Sequence, residues 1–293
     1  MGLLKRTAER PLEVKERDVK GAFERNIHAR KGDAGRVLVI AGEERYAGAT
    51  ALASIAALRA GADSVVIAAT KSVAEAVRPF SPDVILHACA GATWTEKHVK
   101  ELSTLAERAD VVLLGPGLGE SDERAAFVNA LASTLKTRLV LDADAAKQVI
   151  VKRVKNAIIL ANHAELAQFL SVNTLSRENA RAHLGQNLLV SKGIIDAILA
   201  PDHEYAVTGG HPRATVAGTG DVLAGITAGL YAQNPNALLV AKASCLLAKK
   251  TAEKLGDEKD YAWIASDLLD ALPGIIKELR VYRMTKYEPV RKH

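Results

Sequence analysis

Aromatic residues are scarce: they make up 4% of the 293 positions, against 48% for hydrophobic residues as a whole. A core must therefore be built from Val, Ile, Leu and Ala, which suits a parallel sheet covered by helices on both faces. Cysteine is nearly missing too. Cys89 and Cys245 lie in separate apolar segments without metal-like spacing, which excludes a disulfide framework and leaves two reduced core residues. No apolar run reaches bilayer length, and Met1 to Arg10 lacks the hydrophobic stretch of a signal peptide, so the expectation is a cytoplasmic protein without a membrane anchor.

A basic stripe is also lacking. The formal charge is +5, but residues 1–36 carry ten Lys/Arg against six Asp/Glu and residues 280–293 carry five against one, which leaves the middle at −3. The excess belongs to the ends, so nucleic acid is not an expected partner. Residues 1–30 and 280–293 read as basic extensions, solvated or pinned to a neighbouring subunit, around a single domain over 31–279.

What is present is an alternation of short apolar runs and longer helical patterns from about residue 36 onward, the sign of βαβ units. Strands are expected at Arg36–Ala41, Ser64–Ala69, Val84–Cys89, Val111–Leu114, Arg138–Leu141, Ala157–Leu160 and Asn187–Ser191. Helices are expected at Gly48–Ala60, capped by Gly61, and at Glu96–Arg108, Asp122–Leu135, Ala145–Val151 and Leu175–Leu184. Asp196–Ala200 and Glu204–Val207 read as a hairpin at a sheet edge, followed by helices near Asp221–Gln233, Pro235–Leu255 and Ile264–Leu279. The class is α/β with a mostly parallel central sheet, and ligands belong beyond the carboxyl ends of its strands.

The most informative stretch is Ala217-Gly218-Thr219-Gly220-Asp221, leading into Val222-Leu223-Ala224-Gly225. It brings bare backbone N–H groups to the start of an apolar helix, where partial positive charge and free donors hold an anion. Asp221 there is placed to take a proton from a hydroxyl beside a phosphate, which points to phosphoryl transfer; a glycine-rich turn with Asp as a helix cap is the plainer alternative.

Other clusters fall at strand ends. Gly115-Pro116-Gly117-Leu118-Gly119 lets the backbone approach a ligand, or is a tight turn, and lacks the dinucleotide spacing. Asp142 and Asp144, two apart, would share a side of an extended chain and could hold Mg²⁺ through water or position a hydroxyl; Asp144 otherwise caps the following helix. Asn162-His163-Ala164-Glu165 suits orientation of a metal-bound water or phosphate, and equally a capping box. Lys192-Gly193 offers a compact charge for nucleotide phosphates or is a solvated hairpin lysine.

In this order, these clusters resemble the NAD(P)H-hydrate dehydratases, repair enzymes of the ribokinase-like superfamily. The resemblance runs from about Lys31 to Leu272 and rests on Lys31-Gly32-Asp33-Ala34-Gly35-Arg36, Gly48-Ala49, Ala57-Leu58-Arg59-Ala60-Gly61-Ala62, the 115–119 loop, Leu141-Asp142-Ala143-Asp144, Lys192-Gly193 and Gly218 to Gly225. It implies a ribokinase-like fold and a homotetramer. It further implies nucleotide-dependent removal of water from hydrated NADH or NADPH, with ADP or ATP as co-substrate and Mg²⁺ as cofactor. On that reading Asp221, Gly218 and Gly220 are catalytic. Lys192, Gly193, Ile194, Ile195, Asp196, Thr219 and Gly220 line the nucleotide. Ala49, Gly117, Asp142, Asn162, His163 and Asp221 contact the hydrated cofactor, and Glu165 holds the metal indirectly.

Two departures stand out. The family has Thr-Pro-His-x-Gly-Glu where this chain has Ala161-Asn162-His163-Ala164-Glu165, so Asn162 takes the place of the substrate histidine; Ser81-Pro82-Asp83-Val84 replaces a usual Pro-Glu pair. Asn-x-x-Glu is the pattern of the superfamily's kinases, which keeps a kinase for a vitamin-precursor alcohol as the alternative, and a non-catalytic nucleotide-binding regulator as a third reading. Residues 1–30 are too few for the epimerase domain often fused ahead of the dehydratase.

Overall fold

The computed structural model describes residues 10–25 and 28–280; most of the C-terminal basic extension and the first nine residues of the N-terminal one lie outside that range. Ten strands form one sheet: β1 (Leu12–Glu13), β2 (Arg36–Ile40), β3 (Ser64–Thr70), β4 (Ile85–Cys89), β5 (Val111–Leu114), β6 (Arg138–Asp142), β7 (Ala157–Ala161), β8 (Leu188–Ser191), β9 (Asp196–Leu199) and β10 (Glu204–Val207). Their order is β1-β10-β9-β8-β7-β6-β5-β2-β3-β4. β2 to β8 run parallel, while β9 is antiparallel to both β8 and β10.

The sheet splits its aliphatic side chains between two cores with a period of two. Val37 and Val39 enter one core while Leu38 and Ile40 enter the other. The first core is covered by α1 (Ala47–Arg59), α2 (Lys71–Val77), α8 (Thr219–Gln233), α9 (Ala237–Lys259) and α10 (Ala265–Leu279). The second is covered by α3 (Val99–Ala106), α4 (Asp122–Thr134), α5 (Ala143–Gln148), α6 (His163–Val172) and α7 (Arg177–His183). Burial on both faces is why the strands read as unbroken apolar runs.

Gly61 ends α1 as expected: it has φ +109°, and the N–H of Ala62 returns to the Ala57 carbonyl at 3.2 Å. The hairpin β9–β10 also forms, but it is not the edge. β1 pairs parallel with β10, and Val14, Val19, Ala22 and Phe23 behind it are buried in the first core. Residues 12–23 therefore pack against the domain, a correction to a solvated extension: the Lys and Arg between them had masked four core residues. α2 follows β3 without a turn, so no punctuation in the sequence announces it.

α1 and α8 cross at very short range. A Cβ on Gly225 would overlap the Ala53 carbonyl oxygen, and one on Gly229 would overlap that of Ala57. Backbone cannot step aside as a side chain can. Gly225→Val should therefore lower stability by about 1–3 kcal/mol or more, read as a lower denaturant midpoint with an unchanged slope; an unshifted midpoint would refute this close crossing. The crossing matters for function because it fixes where α8 begins.

Candidate active site

α8 starts beside the carboxyl ends of β6, β7 and β8. Gly218 caps it with φ +95°, and a Cβ there would also press on Leu52 Cδ1 and Ala265 Cβ at 2.7 and 2.8 Å, so only glycine fits. Thr219 uses its hydroxyl to hold the loop, donating to the carbonyls of Ala214 at 2.8 Å and Val216 at 3.0 Å. Its side chain is thus spent on structure. Gly220 and Asp221 have N–H groups with no acceptor among the described residues, and these are the free donors a helix start offers to an anion.

Behind this helix start lies an ion cluster. Lys192, just past β8, places its Nζ 2.6 Å from Asp142 Oδ1 and 3.4 Å from Glu165 Oε2. The same ammonium is 3.5 Å from where a Gly220 side chain would begin. Asp142 is buried, and burial raises its pKa despite Lys192. Burial pulls the Lys192 ammonium down, but Asp142 and Glu165 more than offset this and its pKa ends above the ordinary value. Asp221 feels burial first and the Asp142 charge next, with Lys192 opposing, and is pushed up to about 7. A carboxyl poised there can accept a proton at neutral pH.

The two aspartates do not share a side. Ala143 has φ +48° and ends the extended chain, so Asp142 turns to Lys192 while Asp144 accepts from Gly119 N–H at 2.7 Å and pairs with Lys147 at 2.6 Å. Asp142, not Asp144, occupies the N-cap position of α5, and its side chain makes no capping bond. Asp142 thus meets Lys192 rather than open solvent.

Asn162 caps α6: its Oδ1 accepts from Ala164 and Glu165 N–H at 2.9 and 3.0 Å, and Glu165 Oε2 accepts from Asn162 N–H at 2.7 Å. The capping box is therefore real, and the Asn162 side-chain oxygen is engaged in it. His163 is exposed in the first turn. Glu165 Oε1 has no partner among the described residues and can hold a metal-bound water, which suits Mg²⁺ held mainly by phosphate and water oxygens.

The loop Lys192–Asp196 is braced from α9 by Lys249, a residue sequence reasoning missed because nothing sets it apart from other lysines of that helix. Its Nζ donates to the carbonyls of Gly193 at 2.6 Å and Ile194 at 2.9 Å and lies 3.4 Å from Asp196 Oδ1. Asp196, whose pKa burial raises, accepts from Gly193 N–H at 2.9 Å. Ile194, 92% exposed, and Ile195, 55% exposed, stand out into solvent at the loop tip. An apolar surface of that kind suits the flat face of a base.

On the other side of α8, Gly117 packs against Tyr46, the residue before α1, and Ala49 lies half-buried in the first turn of that helix. Arg124 supports this loop, bonding the Leu118 carbonyl and Glu43. The cluster Lys31 to Arg36 is not part of the site. Its amides at Gly32 and Ala34 bind Asp63 at the amino end of β3, on the opposite rim.

Comparison with known proteins places the whole domain in one family. The NAD(P)H-hydrate dehydratase family profile matches residues 37–274. The bifunctional NAD(P)H-hydrate repair enzyme of Pyrobaculum aerophilum is 37% identical over 266 residues, covering 87% of this chain and 53% of that protein; the chain thus spans about half the length of such relatives. The ADP-dependent (S)-NAD(P)H-hydrate dehydratase of Cenarchaeum symbiosum is 30% identical over 264 residues, covering 86% and 92%. The fold is that of the ADP/ATP-dependent NAD(P)H-hydrate dehydratase of Bacillus subtilis crystallised with ATP and Mg²⁺, at a TM-score of 0.77 and 24% identity over 93% of this chain and 100% of the other. With residues 37–274, about four fifths of its length, matched by that profile, the chain belongs to the NAD(P)H-hydrate dehydratase family.

Proposed function

We propose that the chain removes water from hydrated NADH or NADPH at the expense of ADP or ATP. The observation that carries this is Asp221, a proton acceptor poised near neutrality beside two free backbone donors and the Lys192 ammonium. Asp221 takes the proton of the ring hydroxyl; the oxygen attacks the terminal phosphorus of the nucleotide, and the bond to the departing AMP or ADP breaks. The phosphorylated carbon then loses phosphate, a far better leaving group than hydroxide, and a ring proton leaves with it to restore the dihydronicotinamide.

The Gly218 to Gly220 backbone and Lys192 stabilise the phosphoryl group in flight. Gly193, Ile194, Ile195 and Asp196 line the nucleotide, with Thr219 holding the loop. Ala49, Gly117, Asn162 and His163 face the hydrated cofactor, and Asp142 acts through Lys192. Mg²⁺, held through water by Glu165 and by nucleotide oxygens, would neutralise phosphate charge. No described helix is long and apolar enough to cross a membrane, and the reading places the chain in the cytoplasm. Phe80 and Ile85, 59% and 57% exposed near the β4 edge, support assembly into a homo-oligomer, a tetramer on the family's pattern.

The test is to mix hydrated cofactor, Mg²⁺ and each nucleotide in turn, following recovery of dihydronicotinamide absorbance and release of phosphate. Recovery with neither nucleotide ends the proposal, and a stable phosphorylated alcohol would turn it toward a kinase. The pH profile adds a second check. Because the deprotonated form of Asp221 is the active one, log kcat/KM is expected to rise with unit slope and level off near pH 7. A profile flat from pH 5 to pH 8 contradicts the assignment.

A further inference from the structure

Far from the crevice, the last strand of the sheet and the helix over it bring together three donors that the reaction does not use. His87 and Cys89 are two apart on β4, so their side chains leave by the same face. Glu101 of α3 lies across that face, with Oε1 2.7 Å from His87 Nε2. One nitrogen, the sulfur and one carboxylate oxygen of the three residues all lie within 4.8 Å of one another. Cys89 is buried, while His87 and Glu101 are 36% and 44% exposed. Among the described residues no Lys or Arg lies within ion-pair distance of Glu101.

We propose that His87, Cys89 and Glu101 bind a divalent transition metal of the zinc type, which clamps β4 to α3 and keeps a fourth position for water. Three physical facts favour this set. First, thiolate and carboxylate together balance the two charges of the cation, so a neutral centre sits at the rim of the second core. Second, sulfur and imidazole select Zn²⁺ over Mg²⁺ or Ca²⁺, so this centre is chemically separate from the lysine and carboxylate cluster around Asp221. Third, zinc bonds of about 2.0–2.3 Å in a tetrahedron place ligand atoms roughly 3.5 Å apart, a closure the two half-exposed side chains can make by rotation.

Binding is a simple exchange. The Cys89 thiol loses its proton to solvent as the metal–sulfur bond forms, and nothing is oxidised or reduced. Among the described residues β4 is paired on one side only, with β3, so a bond to α3 supplies the restraint that a second neighbour strand would otherwise give.

The test uses the full chain stripped of metal and titrated with Co²⁺ alone. The expected result is a near-ultraviolet thiolate-to-cobalt charge-transfer band with the visible bands of a tetrahedral site, removed by Zn²⁺ but not by excess Mg²⁺. Cys89→Ala abolishes the charge-transfer band, and Cys245→Ala keeps it. His87→Ala, at a half-exposed position that leaves the fold intact by circular dichroism, weakens Co²⁺ binding by about tenfold or more. No thiolate band in the parent protein, the same band in Cys89→Ala, or unchanged affinity in His87→Ala would each overturn the proposal.

Discussion

Asp221→Asn is expected to lower kcat/KM for hydrate repair at pH 8 by about 10²–10⁴-fold, while leaving nucleotide binding within a few-fold of the parent. Asn keeps the size and the helix start but cannot take the proton. The variant should at the same time become more stable, and the sign follows from linkage. Burial, with the Asp142 charge, pushes the folded carboxyl up to about 7, from 3.8 when free of the fold. Between these values the folded state keeps a proton that the unfolded chain has lost, so stability falls as pH rises through that window. Its contribution is complete below about pH 4 and gone above about pH 7. Asn does not titrate, so the variant should gain nothing at pH 4 and most above pH 7, measured as the difference in Tm. Equal melting at pH 8, or full activity, would remove Asp221 from the role of base. Loss of activity with a gain in stability cannot be mistaken for unfolding.

The site was legible in the sequence to the extent that its chemistry depends on backbone. Gly218 and the apolar helix after it announce the glycine turn and helix start because no other residue permits that turn, and the strands announce themselves because both faces are covered. Positions defined by partners distant in the chain were less legible. Asp142 and Asp144 look equivalent as a pair two apart, yet the left-handed Ala143 between them sends one to Lys192 and the other to Gly119. Asn162 matched a pattern for orienting a metal-bound water or phosphate and a capping pattern equally, and only the bonds to Ala164 and Glu165 show that the cap forms. Lys249 had no local signal, since its meaning comes from a loop 55 residues earlier. Residues 12–23 were hidden because their charges outnumber the few apolar residues that insert into the core.

Lys192→Met is the harsher substitution for the fold. Methionine fills much of the lysine stem's space, so the change is chiefly one of charge. Asp142 has a side chain only 1% exposed, and Glu165 only 14%. Removing the ammonium leaves the first without a counter-ion in a dry site, and breaking a buried pair in this way costs about 3–5 kcal/mol. Chemical denaturation at pH 7.5 is expected to register that loss. The double variant Lys192→Met, Asp142→Asn should recover a large part of it, because the stranded charge has gone as well; failure to recover would mean that the pair is not the source of the cost. Function offers a separate reading at temperatures where the single variant stays folded. Lys192 holds the proton affinity of Asp221 down, so its loss should move the rising limb of log kcat/KM above pH 7 and raise KM for the nucleotide. A limb that stays in place would make Lys192 a structural counter-ion alone. A limb that moves makes the same ammonium both the restraint on Asp142 and the charge that tunes Asp221.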